Sequence, residues 1–293
     1  MSEKKLSPEE REQEFLAHLV AEYLKYGSVD EVYRIHKYDL PISYPGFQRV
    51  LDKWGIVKAA GPNSKLSEAL SFFVHLAEEQ IPLETLYKRM PPSFQTSMGT
   101  LHRILSYIKE GVTRRAGTAL VITPYSKSDF VLVGNDISTP RVELGKPFGS
   151  VSLPMGFSRK RDTKQKAILR VLQQEVFTKQ AIEQNMPMEV ITEHIDPFMF
   201  LDIADVRVSV YHLSLSKELS SSKNFSSFKL ENHRFLSIGD IVNGDSDHYR
   251  VGLIETILGY QRRLEMIDKN VIANPIFEIS SLNHELAALA YEY

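Results

Sequence analysis

A switch in hydrophobic periodicity near residue 116 constrains this chain more than any other feature. Upstream, apolar residues recur at spacings of three and four: Phe15, Leu19 and Tyr23, then Val32 and Ile35, then Val50, Leu51 and Trp54. That spacing builds one face of an α-helix. Helix breakers fall between the runs, at Gly27 and Ser28, Pro41, Pro45 and Gly46, Gly61 and Pro62, and Pro91 and Pro92. Downstream, short β-rich runs at 119–122, 130–133, 150–153 and 206–213 predict strands. Helices are predicted at 163–184 and 249–267. The change falls within residues 113–117. It divides the chain into a helical unit, 1–115, a mixed unit, 116–270, and a tail, 271–293, whose apolar end suits a short packed helix. The fold class expected is α+β in separate units.

Composition supports two cores rather than one. The chain has 293 residues, 43% of them hydrophobic and 25% charged, enough apolar material for two ordinary domains. Cysteine is absent, which excludes disulfides, thiolate metal sites and cysteine nucleophiles. No run of about 18 apolar residues is present, so no membrane span is expected. The first 16 residues are charged and lack the apolar stretch of a secretory signal, so the expected location is cytoplasmic. Net charge is −2, so contact with nucleic acid would have to come from local patches.

The helical unit contains a repeat. A shift of 54 positions lays residues 28–34 over 82–88, and Phe47, Gln48, Arg49, Val50 and Leu51 over Leu101, His102, Arg103, Ile104 and Leu105. Each copy reads as a helix, a short helix, a turn and a second helix, a duplicated supersecondary unit. The second helix exposes Gln48, Arg49 and Lys53 in the first copy, and His102 and Arg103 in the second, residue types that bond phosphates and base edges. Residues 32–118 hold twelve Lys or Arg against seven Asp or Glu, a modest excess that suits phosphate contacts. Over residues 10–112 the pattern resembles the tandem helix-turn-helix modules of DNA-binding proteins. That resemblance implies duplex DNA as a partner; a helical protein-binding module is the other reading of the same pattern.

The mixed unit carries a worn signature. Gly156 is followed six residues later by Asp162, then by Arg170, Leu172 and Glu175. This resembles the Nudix pattern, glycine, five residues, glutamate, seven residues, then Arg-Glu-U-x-Glu-Glu-x-Gly-U, with U a bulky apolar residue. Val171 stands where the pattern has a glutamate, Gln174 where it has the first of a glutamate pair, and Phe177 where it has a glycine. The order of elements over 116–268 is also similar: two strands, a loop and helix, a strand, the segment 233–241, and a closing helix. The resemblance implies an α/β/α Nudix-like sandwich, a nucleotide-like ligand and, in an active member, magnesium held by acids on one face of the signature helix.

That face decides the chemistry expected. Positions 171, 174 and 175 share one side of a helix. Magnesium requires oxygen ligands in octahedral geometry. Here the face offers an apolar group, a neutral amide and one carboxylate, Glu175, which is left as the residual acid and a weak metal candidate. Glu189, Glu193, Asp196, Asp202 and Asp205 are the acids that would have to compensate. Arg159, Lys160 and Arg161, beside a helix N-terminus, join Gly156 and Arg170 as candidates for binding phosphate, although a basic loop is as often simply solvated. The expectation is a DNA-binding regulator whose Nudix-like domain has lost catalysis, needs no cofactor, and senses a nucleotide-like ligand or mediates interactions. The alternatives are a Nudix-type pyrophosphohydrolase with non-standard metal ligands, in which case magnesium is required, and a scaffold that binds proteins.

Overall fold

The computed structural model describes residues 7–58, 106, 110, 111, 113, 115–141, 144–269 and 274–288. Three helices open the chain: α1 (Pro8–Tyr26), α2 (Val29–Ile35) and α3 (Tyr44–Lys53). Helix α1 begins with a capping box, in which the Ser7 hydroxyl accepts from the Glu10 amide and the Glu10 carboxylate accepts from the Ser7 amide. It ends at Gly27, whose φ of 75° is the left-handed conformation that glycine adopts without a Cβ penalty. Leu19, Tyr23, Val32, Phe47, Leu51 and Trp54 close a core among the three helices.

This unit is the first copy of the predicted repeat. The second copy, with His102 and Arg103, lies outside the described residues. The connection between α2 and α3 spans residues 36–43, longer than the three or four residues of a helix-turn-helix turn, and Lys37 and Tyr38 both take positive φ within it. The short-helix-and-second-helix order is as expected; the tight turn is not.

The mixed unit is built on two sheets. A five-stranded sheet runs β4 (Met155–Ser158), β1 (Arg115–Thr123), β6 (Val206–Ser214), β5 (Met199–Ile203), β8 (Ile276–Ile279). Strands β1 and β6 are parallel, as are β5 and β8; the other neighbours are antiparallel. A three-stranded antiparallel sheet runs β3 (Val151–Ser152), β2 (Phe130–Asp136), β7 (Leu230–Ser237). Both faces of β1 are buried, because its side chains alternate. Ala119 and Val121 enter one core, and Leu120 and Ile122 enter the other. The first core is covered by the long helix that starts at Leu253 and ends at Asp268. The second is covered by the signature helix, α4 (Lys164–Glu175). Helices on both sides of sheet make the layered α/β architecture that the sequence predicts.

Two boundaries differ from expectation. The predicted helix over 163–184 breaks after Glu175 and resumes as α5 (Thr178–Ile182). The break turns Phe177 into the second core against Phe225, at 6.0 Å between ring centroids. The tail is not separate from the sheet. Strand β8 pairs with β5, Leu282 joins the first core, and Asn283 exchanges two hydrogen bonds with the backbone of Ala204. In β8 half-buried and exposed positions alternate, but three of its four residues, Ile276, Phe277 and Ile279, are apolar, so this short edge strand leaves little periodic signal in the sequence. Among the described residues no helix is long and apolar enough to cross a membrane.

The two units meet on the signature helix. The Gln173 side chain accepts from the Val57 amide at 2.9 Å and donates to the Gly55 carbonyl at 2.8 Å. Arg170 donates through Nε to the Lys58 carbonyl at 2.9 Å. Trp54 donates its indole N–H to the Ile182 carbonyl. Replacing Gln173 by Ala would strand the buried Val57 amide and unpair the partly buried Gly55 carbonyl, at a cost of about 1–3 kcal/mol. Trp54 is the single tryptophan and is 6% exposed, so its emission reports the joint. In Gln173→Ala the red shift should come at a lower denaturant concentration than in the wild type; an unchanged midpoint would show that this clamp does not hold the units together.

Candidate functional site

A cavity of about 520 Å³ opens beside the signature helix and is walled by both units. The helical unit contributes Lys25, Tyr26, Gly27 and Ser28, the joint between α1 and α2. The mixed unit contributes strands β1, β4 and β6, the C-terminal part of α4, and three segments distant in sequence, carrying Lys146, Lys229 and Arg250. The volume lies within the range usual for small-molecule pockets, and part of the lining is apolar, including Phe157, Phe228 and Val208.

The three positions of the signature face are all in register, because α4 runs unbroken to Glu175. Val171 is buried with Ile168 and Leu172 in the second core. Gln174 and Glu175 line the cavity. Gly156 also lines it, on β4 opposite Thr118. A Cβ there would meet only Val171, at 3.9 Å, so the glycine keeps this wall low without being sterically obligatory.

Glu175 is an unusual acid. Its carboxylate accepts from the Met155 amide at 2.9 Å. Burial pushes its pKa up to about 7, and the neighbouring Asp136 pushes the same way. The Lys229 and Arg250 cations and the Met155 N–H only partly offset this. Asp136, at the end of β2, accepts from the amide and hydroxyl of Ser138. It also pairs with Lys146 at 3.3 Å and with Arg250 at 3.2 Å. Burial lowers the pKa of Lys146, Lys229 and Arg250 alike. Lys229 donates its ammonium to the Gln174 amide oxygen. Arg141 lines the same space and, with Arg115, flanks the Phe157 ring at 5.8 and 5.3 Å.

The sequence places the cations elsewhere. Arg159, Lys160 and Arg161 are exposed, and none lines the cavity. They sit on a turn whose Asp162 accepts from the Arg159 amide at 2.8 Å. Arg170 does border the cavity, but its guanidinium is engaged with Asp162 at 2.6 Å and with the Lys58 carbonyl. It fastens the turn and the N-terminal segment to α4. The acids expected to compensate as ligands are also engaged or remote. Asp202 pairs with Arg207, Asp205 with Arg115 and Asp196 with Lys164. Glu189 and Glu193 are exposed, and none of the five lines the cavity. In the helical unit, Arg49 and Lys53 are exposed on α3 and Gln48 is half-buried.

The residues that sequence reasoning missed are Asp136, Lys146, Lys229 and Arg250. Three of them are single cations set among apolar or turn residues: Phe228-Lys229-Leu230, Tyr249-Arg250-Val251 and Gly145-Lys146-Pro147. A lone charge between bulky apolar neighbours is a cue for burial, and it is the signal the sequence offers.

These groups do not fit magnesium. Val171 offers no oxygen, and the oxygen of Gln174 is taken by an ammonium, which has no acceptor capacity of its own. Gln174 therefore turns its N–H₂ group away from Lys229, and that nitrogen is buried without a partner. A donor cannot ligate a cation. Among the described residues, the one group of three side chains with metal-ligand spacing is His18, Glu22 and His36, in the helical unit.

No protein-family model matches the chain, and no curated protein does. Solved structures similar to it include a Nudix hydrolase from Nitrosomonas europaea, at 14% identity and a TM-score of 0.37, covering 57% of this chain and 78% of that one. The MutT protein of Methanosarcina mazei is 10% identical, with a TM-score of 0.36, over 53% of this chain and 97% of that one. The Nudix domain of NrtR from Shewanella oneidensis, solved with ADP ribose, is 13% identical, with a TM-score of 0.34, over 63% of this chain and 99% of that one.

The raised pKa of Glu175 makes stability depend on pH. Its folded value, about 7, lies above the ordinary value of 4.5. Folding therefore favours the protonated acid. The contribution is fully present below about pH 4.5 and is lost as pH rises through about 7, by about 3 kcal/mol at most. Glu175→Gln keeps an acceptor for the Met155 amide and removes the titration. Between pH 5 and pH 8 the wild-type melting temperature should fall relative to that variant. Parallel curves would show that Glu175 stays ionised throughout.

Proposed function

We propose that the chain is a DNA-binding regulator whose Nudix-like domain holds a nucleotide-like ligand and does not hydrolyse it. The observation that carries the reading is the replacement of the acidic face by Val171, by Gln174, and by a lysine bound to Gln174. Hydrolysis of a phosphoanhydride by this class of enzyme needs a metal that neutralises the phosphates and orients water. The cavity lacks the ligands to hold it. The competing reading, a pyrophosphohydrolase with non-standard ligands, needs acids from outside the motif, and Glu189, Glu193, Asp196, Asp202 and Asp205 do not line the cavity.

Support for a sensor comes from where the cavity lies. Residues 25–28 wall one side of it, and the mixed unit walls the other. A ligand that touches both units has differential affinity for the arrangement seen and for one with the units apart, which is the requirement for shifting between them. The helical unit would be the effector: Arg49 and Lys53 are exposed on α3, and side chains of this type bond phosphates.

Two outcomes follow. Duplex DNA should bind with an affinity that falls steeply with salt. Arg49→Ala with Lys53→Ala should lower both the affinity and the salt slope, the slope by about 0.9 for each phosphate that is no longer neutralised. Binding unaffected by salt or by these replacements would remove the helical unit from DNA recognition. Incubation with ADP-ribose or a dinucleoside polyphosphate and magnesium or manganese should release no product above background. Robust turnover abolished by Glu175→Gln would establish the hydrolase instead.

A further inference from the structure

We infer that the cavity binds a phosphate-type polyanion directly, without a metal ion, in a cradle formed by Gln174, Lys229, Lys146 and Arg250. The inference rests on the non-hydrolytic reading of the same cavity and names the chemistry of its ligand.

The unmatched donors point to an acceptor. Lys229, half-buried in the cavity wall, fixes the orientation of the Gln174 amide by donating to its oxygen. The amide nitrogen is left buried with no hydrogen-bond partner, on a side chain 7% exposed. Arg250 shows the same deficit: its Nη1 meets Asp136 at 3.2 Å, while its Nε is buried and unpartnered. A stranded buried donor forfeits its bonds to water and gains nothing in return, and both of these side chains belong to the cavity wall, where a group carrying several acceptor oxygens would offer them partners.

The charges point the same way. Lys146, Lys229 and Arg250 face two acids, Asp136 and Glu175. Asp136 is already shared between Lys146 and Arg250. Three cations against two acids leave the wall with surplus positive charge, which a counter-charge entering the cavity would offset. In an active relative of this architecture a divalent cation would stand between carboxylates and phosphate. Here lysine and arginine side chains supply that positive charge from the protein itself, and a second cation has no place. Charge-assisted bonds from such donors to phosphate oxygens are among the strong ones. The volume, about 520 Å³, leaves room for an organic part against Phe157 and Phe228.

The test uses inorganic pyrophosphate, titrated calorimetrically into the full chain in excess EDTA, with phosphorus NMR on the same samples to detect cleavage. Saturable binding in EDTA is expected, weakened rather than strengthened when magnesium replaces the chelator. Gln174→Glu converts the stranded donor into a carboxylate of nearly the same shape, and Lys229→Met removes the charge. Each should weaken binding at least about tenfold, equivalent to about 1.4 kcal/mol. Retained Trp54 emission would show that each variant is folded. Arg159→Ala, on the exposed turn, should bind as the wild type does. No binding in EDTA at millimolar pyrophosphate, binding that requires magnesium, or equal affinity in Gln174→Glu would overturn the cradle. Cleaved pyrophosphate would instead sink the non-hydrolytic reading, so the two failures are distinct.

Discussion

The burial of the signature helix on three sides is the constraint on which the rest of the molecule depends. One side, Ile168, Val171 and Leu172, closes the second core. A second side, Arg170 and Gln173, hydrogen-bonds the segment 55–58 at the edge of the helical unit. The third, Gln174 and Glu175, forms the cavity wall. A helix held on three sides cannot rotate to relieve one of them without disturbing the others. A change in the cavity is therefore felt at the joint between the units through a single rigid element.

Val171 follows from that position. In the sequence it counts as a missing acid. In the fold it is a core residue, 2% exposed, packed where an unpaired carboxylate would face Ile168 and Leu172. Gln174 stands where the resembled pattern has an acid, and its amide oxygen accepts from the Lys229 ammonium. The pair keeps this part of the cavity wall polar. The elevated pKa of Glu175 belongs to the same arrangement, since burial that is tolerable for a neutral carboxyl is costly for an ionised one.

Much of this architecture is legible in the sequence. The β-rich pattern expected from about residue 116 corresponds to β1, which begins at Arg115. The apolar β-rich run at 119–122 predicts a strand and lies within β1, and the gap-free spacing from Gly156 to Glu175 places α4 directly after β4. Three things are not legible. Residues 276–279 complete a sheet through backbone bonds to β5, and backbone pairing leaves no mark on side-chain pattern. The basic turn at 159–161 stands out because its charges are adjacent in sequence, yet adjacency in a turn usually means solvent. The cavity's own cations are Lys146, Lys229 and Arg250, brought together only by tertiary folding; a lone charge among apolar neighbours hints at burial but not at which charges will meet.

If this cavity has exchanged affinity for a cation for affinity for an anion, magnesium titrated calorimetrically into the ligand-free chain should produce no saturable heat up to millimolar concentration. Wild type and Glu175→Gln should behave alike. A saturable magnesium isotherm in the wild type that vanishes in Glu175→Gln would contradict that exchange. A metal would then be held at the face that Val171, Gln174 and Lys229 close to it.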